Sequence, residues 1–157
     1  MTTITNHTHI LGPAAAVFDL VTTLRFWPAW HPATTGVGGV TQRPFQLGDK
    51  LLERAQIGAR SHEGIWTVVA HERPHRATLR MGNGRLQISY TFTPNGNGVD
   101  FARTLEYQPA DFAASIPDPD QLASYMFTQS EQALARLKAL VEEILATESA
   151  LTINLEQ

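Results

Sequence analysis

Short β-type segments separated by glycine and proline fill residues 34–109, and this block constrains the fold more than any other feature. Two of its links, Gly82-Asn83-Gly84 and Asn95-Gly96-Asn97-Gly98, have the composition of hairpin turns. Strands joined by such short links run antiparallel, because a parallel pair needs a crossover of about a dozen residues. The block therefore predicts an antiparallel sheet, with candidate strands near 35–42, 50–58, 60–72, 76–82, 85–94 and 98–108.

A long amphipathic helix is predicted to follow this block. Asp118 is a suitable N-cap, and Pro119 and Asp120 suit the first turn of a helix. Apolar residues then recur every three or four positions up to about residue 146, at Leu122, Met126, Ala133, Leu137, Val141 and Ile144. This apolar stripe needs a surface to cover, and the sheet is the one available.

The N-terminal region adds one strand and two short helices. Residues 3–11 are rich in β-branched side chains and predict a strand that ends at Gly12. A short helix starts at Pro13, and Pro28 and Pro32 limit the next helical segment to a single turn. This order of elements predicts an α+β helix-grip fold, in which a curved antiparallel seven-stranded sheet wraps a long C-terminal helix. We assign residues 1–147 to a single domain, and 148–157 to a C-terminal tail that is expected to fray.

Composition excludes several classes of function. The 157 residues suit one domain, and a net charge of −3 without a basic run argues against nucleic acid and anionic membranes as partners. The chain contains no cysteine, which removes disulfides, thiol nucleophiles and cysteine–zinc sites. We find neither a signal-peptide pattern nor a segment apolar enough to span a membrane, so we expect a soluble cytoplasmic protein. Its exposed edge strands are compatible with a monomer or a homodimer.

Alternation along the strands places three ionisable side chains on apolar faces. Glu53, His62 and Arg103 fall on the inward faces of their predicted strands. In the strand that carries His62, the same parity also places Trp66 and Ala70 inward. Buried charges need partners, so the three side chains predict a pocket in which they orient the polar group of an apolar ligand. Two alternatives remain, a Glu53–Arg103 ion pair inside a filled core and a β-bulge that reverses the alternation.

The remaining histidines carry weaker signals. His7 and His9 have a spacing found in metal sites, but their parity places both on the outer face, so no metal site is predicted. His71 and His75 are predicted to be turn residues. His31 titrates near neutral pH, so a catalytic role is one hypothesis and a loop position at the cavity mouth is the other.

Two segments are predicted to close the space between helix and sheet. The stretch RFWPAWHPAT places Trp27 and Trp30 between prolines, and one of these rings is predicted to plug the open end of that space. In the loop before the long helix, Phe112 and Ile116 either form part of a lid or simply pack.

Four segments carry a resemblance to a known superfamily. They are HILGPAAAVFDLV, FWPAWHP, FQLGDKL and SYTFTPNGNGVDFARTLEY. With these segments the chain resembles the SRPBCC superfamily, which includes START-like lipid binders, birch-pollen-allergen-like proteins and polyketide cyclase/dehydrase-like proteins. Gly12 stands where that superfamily usually has alanine. The resemblance extends to about residue 145 and implies the helix-grip fold, but its members include binders, transfer proteins and enzymes.

Three hypotheses for the function follow. The leading one is the binding of a small hydrophobic or aromatic molecule, such as a lipid, between the sheet and the C-terminal helix. The second is a cofactor-independent polyketide cyclase/dehydrase-like enzyme, in which Arg103 or Tyr90 polarises a carbonyl and His62 or Glu53 moves a proton. The third is a chaperone-activator-like module that binds a protein through an exposed apolar patch. The residues predicted to contact a ligand are Trp27, Trp30, His31, Glu53, His62, Trp66, Tyr90, Phe92, Phe101, Arg103, Tyr125 and Met126.

Overall fold

The computed structural model describes residues 1–82 and 84–156, with side chains up to residue 151. Asn83, at the tip of one predicted hairpin, lies outside the described residues. The strands are β1 (Thr2–Leu11), β2 (Thr34–Gly39), β3 (Lys50–Ile57), β4 (Arg60–Glu72), β5 (Arg76–Met81), β6 (Leu86–Asn95) and β7 (Gly98–Tyr107). The helices are α1 (Ala14–Val21), α2 (Trp27–Trp30) and α3 (Pro119–Glu156), with 3₁₀ turns at Leu24–Phe26 and Pro109–Phe112.

The strands form one antiparallel sheet in the order β1-β7-β6-β5-β4-β3-β2. From β2 to β7 each strand pairs with its neighbour in sequence, as short hairpin links require. The buried side chains of α3 cover the inner face of this sheet, where they join its apolar residues in one core. The predicted α+β helix-grip architecture, with two short helices after the first strand, is confirmed.

Helix α3 begins where the sequence predicts and ends later. The Asp118 carboxylate accepts a hydrogen bond from the backbone N–H of Asp120 at 2.8 Å, which caps the first turn. The helix continues to Glu156, beyond the predicted end near residue 146. The sequence contains neither glycine nor proline after Pro119, so nothing in it interrupts the helix. Among the described residues no helix is long and apolar enough to cross a lipid bilayer.

Strand β4 contains a bulge that simple alternation does not predict. The register of its pairing with β5 shifts by one residue between Val68 and Ala70. Beyond this point Ala70 faces outward and His71 turns inward, where its ring centroid lies 5.3 Å from that of Phe18. The predictions that Ala70 points inward and that His71 is a turn residue are therefore wrong.

One part of the space between α3 and the sheet, here called the filled half, is packed with large side chains. They are at most 2% exposed: Phe18, Leu79, Tyr90, Phe92 and Phe101. Ring centroids lie 4.9 Å apart for Phe18 and Phe92, and 5.2 Å apart for Phe92 and Phe101. Both contacts are tilted, at distances where aromatic rings touch, so these side chains fill the space between them. The other part, the cavity half, is not filled.

Candidate functional site

A cavity of about 320 Å³ lies between the sheet, α3 and the 3₁₀ turn Pro109–Phe112. Much of its wall is apolar, formed by Ala33, Ala55, Ile57, Trp66, Met81, Leu86, Ile88, Leu105, Phe112 and Met126. The polar side chains that reach it include His31, Glu53, His62, Arg103, Gln129 and Ser130. This volume lies at the lower end of the range of about 300–1,000 Å³ found for small-molecule sites.

Gly64 provides part of this volume. It pairs with Glu53 across β3 and β4. A Cβ atom added at this position would overlap the Met81 side chain, which lines the cavity. The glycine therefore leaves room for Met81 to lie against the wall rather than inside the cavity.

Glu53 is a buried carboxylate with two hydrogen-bond donors. It is 8% exposed because its position in β3 directs it inward. The indole N–H of Trp66 donates to Oε1 at 3.1 Å, and the Thr34 hydroxyl donates to Oε2 at 2.5 Å. These bonds fix the orientation of the carboxylate at one end of the cavity.

His31 lies directly after α2 and is held from both sides of its ring. Its Nδ1 lies 2.7 Å from the Thr34 hydroxyl, and its Nε2 lies 3.3 Å from Nη2 of Arg103. The Trp30 ring packs edge-on at a centroid distance of 5.9 Å. Burial, together with the nearby Arg103 charge, lowers the pKa of His31 to about 3. The imidazole is thus neutral at physiological pH.

Arg103 brings a buried cation to the same end of the cavity. It is 5% exposed and projects inward from β7. Nη1 donates to the Ser130 hydroxyl of α3 at 3.1 Å, and Nη2 donates to His31. Among the described residues, Nε of Arg103 has no hydrogen-bond partner, nor does Oε1 of Gln129. Both atoms belong to residues that line the cavity.

Together these side chains form a directed chain of hydrogen bonds, which we call the buried relay: Glu53, Thr34, His31, Arg103 and Ser130. Arginine has no acceptor, so Nε2 of His31 must accept and the neutral ring carries its proton on Nδ1. The Nδ1–H group donates a hydrogen bond to the Thr34 hydroxyl oxygen, and the Thr34 hydroxyl in turn donates to Glu53. Glu53 and Arg103 are therefore linked through two neutral groups, rather than as the direct ion pair that the sequence left open.

The mouth of the cavity is held by contacts of a different kind. Arg85 and Asp111 form an exposed salt bridge at 2.9 Å between the start of β6 and the 3₁₀ turn. Nε2 of His62 lies 3.0 Å from the Ser115 hydroxyl, and the His62 ring packs on Phe112 at 5.7 Å. Phe112 is 7% exposed and covers the mouth from the loop before α3.

The structure separates the sequence-predicted contact residues into two groups. Those that line the cavity are His31, Glu53, His62, Trp66, Arg103, Tyr125 and Met126. Glu53 and Arg103 meet through the relay, but His62 lies apart from them and bonds to Ser115. The three candidate catalytic residues therefore do not converge on one point.

The second group does not reach the cavity, because its members pack against one another in the core. Tyr90, Phe92 and Phe101 belong to the filled half, and burial raises the pKa of Tyr90 to about 12. Trp27 and Trp30 are buried behind His31, with the Trp27 indole donating to the Val21 carbonyl at 3.1 Å. Neither tryptophan therefore plugs the open end of the space between helix and sheet, contrary to the prediction.

Several residues of the site escaped the sequence analysis. Thr34 lies three positions after His31. The backbone N–H of Thr34 donates to the His31 carbonyl, and this turn brings the two side chains together. Ser130 lies four positions after Met126 and interrupts the apolar stripe of α3, which is a detectable signal on a helix. Gln129 and Met81 carry no comparable signal in sequence.

Two further features of the surface do not contribute to the site. On the outer face of the sheet, His9 contacts Asp100 at 2.8 Å, and the described residues contain no group of three or more side chains suited to a metal. Leu52 and Ile65 are exposed cross-strand partners on that face. Two adjacent apolar side chains form a much smaller patch than the several hundred Å² that mark an interaction surface.

The comparison with family models decides the classification. Residues 1–142 match the model described as "Polyketide cyclase / dehydrase and lipid transport". The chain belongs to this family. A search of curated proteins gave no match.

Solved structures agree with this family at the level of the fold. A START superfamily protein from Mycobacterium smegmatis superposes with a TM-score of 0.70 and 16% identity, covering 90% of this chain and 98% of that one. Protein TTHA0849 from Thermus thermophilus gives 0.71 and 16%, over 89% and 97% of the two chains. Ginseng major latex-like protein 151 from Panax ginseng gives 0.63 and 13%, over 88% and 95%. The resemblance to the SRPBCC superfamily is confirmed.

Proposed function

We propose that the protein binds a small hydrophobic or aromatic molecule in the cavity between the sheet and α3. One observation carries this proposal: a cavity of about 320 Å³ with a largely apolar wall ends at a hydrogen-bonded set of charged side chains. The apolar body of the ligand lies along the wall, while its polar end faces the buried relay. Such a division of roles is typical of small-molecule sites.

The family supports an apolar ligand, because its description includes lipid transport. Within the chain, the mouth contacts provide a route for exchange. They consist of an exposed ion pair and a partly buried histidine, both of which cost little to open.

A cofactor-independent cyclase or dehydratase is the second candidate function. The unpartnered Nε–H of Arg103 favours it, since a donor at the cavity wall can polarise a carbonyl. Binding is better supported, because the acid–base groups are already engaged. His31 is neutral with both nitrogens bonded, and His62 bonds to Ser115. On incubation, a dehydratase would lower the mass of the bound molecule by one water, whereas a cyclisation alone conserves its mass and would show as a changed chromatographic retention or absorbance spectrum.

The proposed function is tested with native mass spectrometry and a fluorescent probe. Mass spectrometry of the protein as purified should show a bound small molecule, or should show one after incubation with a lipid extract. Anilinonaphthalene sulfonate should bind with a rise in fluorescence. Gly64→Ala should weaken probe binding about tenfold, since the new methyl group displaces Met81 into the cavity.

A matched variant controls for the substitution itself. Gly36 is also a strand glycine, but a Cβ added there meets open space, so Gly36→Ala should leave probe affinity unchanged. If wild-type protein neither carries a small molecule nor binds the probe, the proposal fails. It also fails if the two alanine variants weaken probe binding equally.

A further inference from the structure

We propose that the ligand is a hydrophobic carboxylic acid, whose carboxylate binds Arg103 at the inner end of the cavity. This inference rests on the proposed function and names the chemical class of the ligand. It depends on the incomplete pairing of the Arg103 guanidinium and on the position of that group in the cavity wall. Neither of these two observations involves the contacts at the mouth of the cavity.

The acceptors that the protein supplies to Arg103 are neutral. Its partners are the Ser130 hydroxyl, the neutral imidazole of His31 and the hydroxyl of Tyr90, which faces it across β6 and β7. Within the described part of the chain, no carboxylate oxygen lies within 4.0 Å of a guanidinium nitrogen of Arg103. A guanidinium that is 5% exposed and lacks a contacting anion is unfavourable. An anionic group on the ligand would supply the missing counter-charge.

Glu53 is held away from this role by its own hydrogen bonds. Its oxygens accept from Trp66 and Thr34, and its Oε2 lies 3.9 Å from Nδ1 of His31. The neutral groups of the relay therefore keep the two charges apart. Because the guanidinium has five N–H donors in a planar fork, donors remain for a carboxylate, Nε–H among them, after His31, Ser130 and Tyr90 are bonded.

Two unpartnered polar atoms mark where the head group would lie. Nε of Arg103 and Oε1 of Gln129 are buried, and both residues line the cavity. The Gln129 amide can present its NH₂ group to an oxyanion by a rotation about its last side-chain bond. Beyond Arg103, the wall consists of apolar side chains such as Ile88, Leu105 and Met126. A ligand with one anionic group on an apolar body fits a cavity that has polar atoms at one end and apolar side chains beyond them.

The test compares ligands that differ in charge but share a carbon skeleton. Decanoate and decanol form the aliphatic pair, and naphthalene acetate and naphthalene ethanol form the aromatic pair. Dissociation constants are measured by displacement of anilinonaphthalene sulfonate and by calorimetry. For whichever carbon skeleton binds more tightly, we expect the dissociation constant of the acid to be at least about tenfold lower than that of the alcohol. Hydrogen bonds to a charged group contribute a free energy of this size.

Variants then assign that preference to one residue. Arg103→Met should abolish the preference while the alcohol still binds, because the apolar wall is intact. Arg103→Lys should retain part of it, since lysine keeps the charge but lacks the planar fork. The matched control is Arg80→Met, which removes the same charge from an exposed arginine bonded to Gln87. This control should bind the acid as the wild type does.

The outcomes separate this inference from the proposed function. If acid and alcohol bind the wild type equally, the carboxylate inference is overturned while the binding function stands. The same holds if Arg80→Met and Arg103→Met reduce the preference by equal factors. If neither the ligands nor the probe bind, both the proposed function and the carboxylate inference are wrong. The wild-type comparison remains decisive even if Arg103→Met does not fold.

Discussion

The filled half and the cavity half of the grip are built from the same strands, yet they differ in packing: large side chains occupy one, and the cavity of about 320 Å³ lies in the other. On β4, Val68 is buried away from the cavity, whereas Trp66, Gly64 and His62, nearer the turn, line it. On β3, the fully buried Leu51 likewise precedes the cavity-lining positions. The size of the inward side chains therefore decides where the cavity lies.

The two halves also differ in what stabilises them. Aromatic rings in close contact stabilise the filled half by burial of apolar surface. Directed hydrogen bonds among charged and neutral groups hold the inner end of the cavity, and an exposed ion pair helps to hold its mouth. The proposed binding site therefore lies where packing is least complete.

The largest expected difference between the halves concerns core truncation. Leu79→Ala, in the filled half, should lower the free energy of unfolding by about 3–5 kcal/mol, because its side chain is completely enclosed. Leu105→Ala should lower it by only about 2 kcal/mol, since that side chain already borders empty space. Urea denaturation followed by circular dichroism measures both values. Equal losses would show that the two halves are packed alike.

The next effect concerns the pH dependence of the relay. His31 takes up a proton near pH 6.5 in the unfolded chain but only near pH 3 in the folded protein. Acid therefore favours the unfolded state, and stability should fall as pH drops below about 6.5. The contribution of His31 is at most about 1.4 kcal/mol per pH unit and ends near the folded pKa.

Urea denaturation between pH 7 and pH 4 checks this prediction by difference. The loss of stability with falling pH should be smaller in His31→Gln than in the wild type. His7→Gln is the matched control, because His7 is exposed on the outer face of β1, and it should follow the wild-type profile. A His31→Gln profile parallel to that of the wild type would contradict the assigned pKa of His31.

The smallest expected effect concerns the mouth. Asp111→Asn removes an exposed ion pair with Arg85, so stability should change by less than about 1 kcal/mol. Probe exchange, measured by stopped-flow fluorescence, should become about two- to threefold faster. Glu72→Gln breaks a similar exposed pair with Arg76 on adjoining strands and should leave exchange unchanged. Unchanged exchange in Asp111→Asn would mean that the mouth opens elsewhere.

The architecture could be predicted from sequence because it depends on local signals. Turn glycines such as Gly96, the alternation along β6 and β7, and the apolar stripe of α3 each report on a few consecutive residues. The β4 bulge was missed because it arises from pairing with β5. The end of α3 was missed for a different reason, because the absence of glycine and proline after Pro119, a local signal, was a better guide than the apolar stripe.

The candidate site could be predicted only in part. Strand parity directed Glu53, His62 and Arg103 inward, and all three line the cavity, but parity does not say which side chains meet. The link between Glu53 and Arg103 runs through His31 and Thr34, which lie on different elements from either. Such a contact depends on how α2 packs against the sheet, and no local pattern reports it.

The sequence by itself determined the sheet, the long helix and the presence of buried charges between them. Only the tertiary structure decided that Trp27 and Trp30 support His31 instead of lining the cavity, and that Arg103 lacks an anionic partner among the described residues. The reason is physical. Secondary structure follows from short-range periodicity, whereas cavities and charge pairing follow from the way distant side chains fill a shared volume.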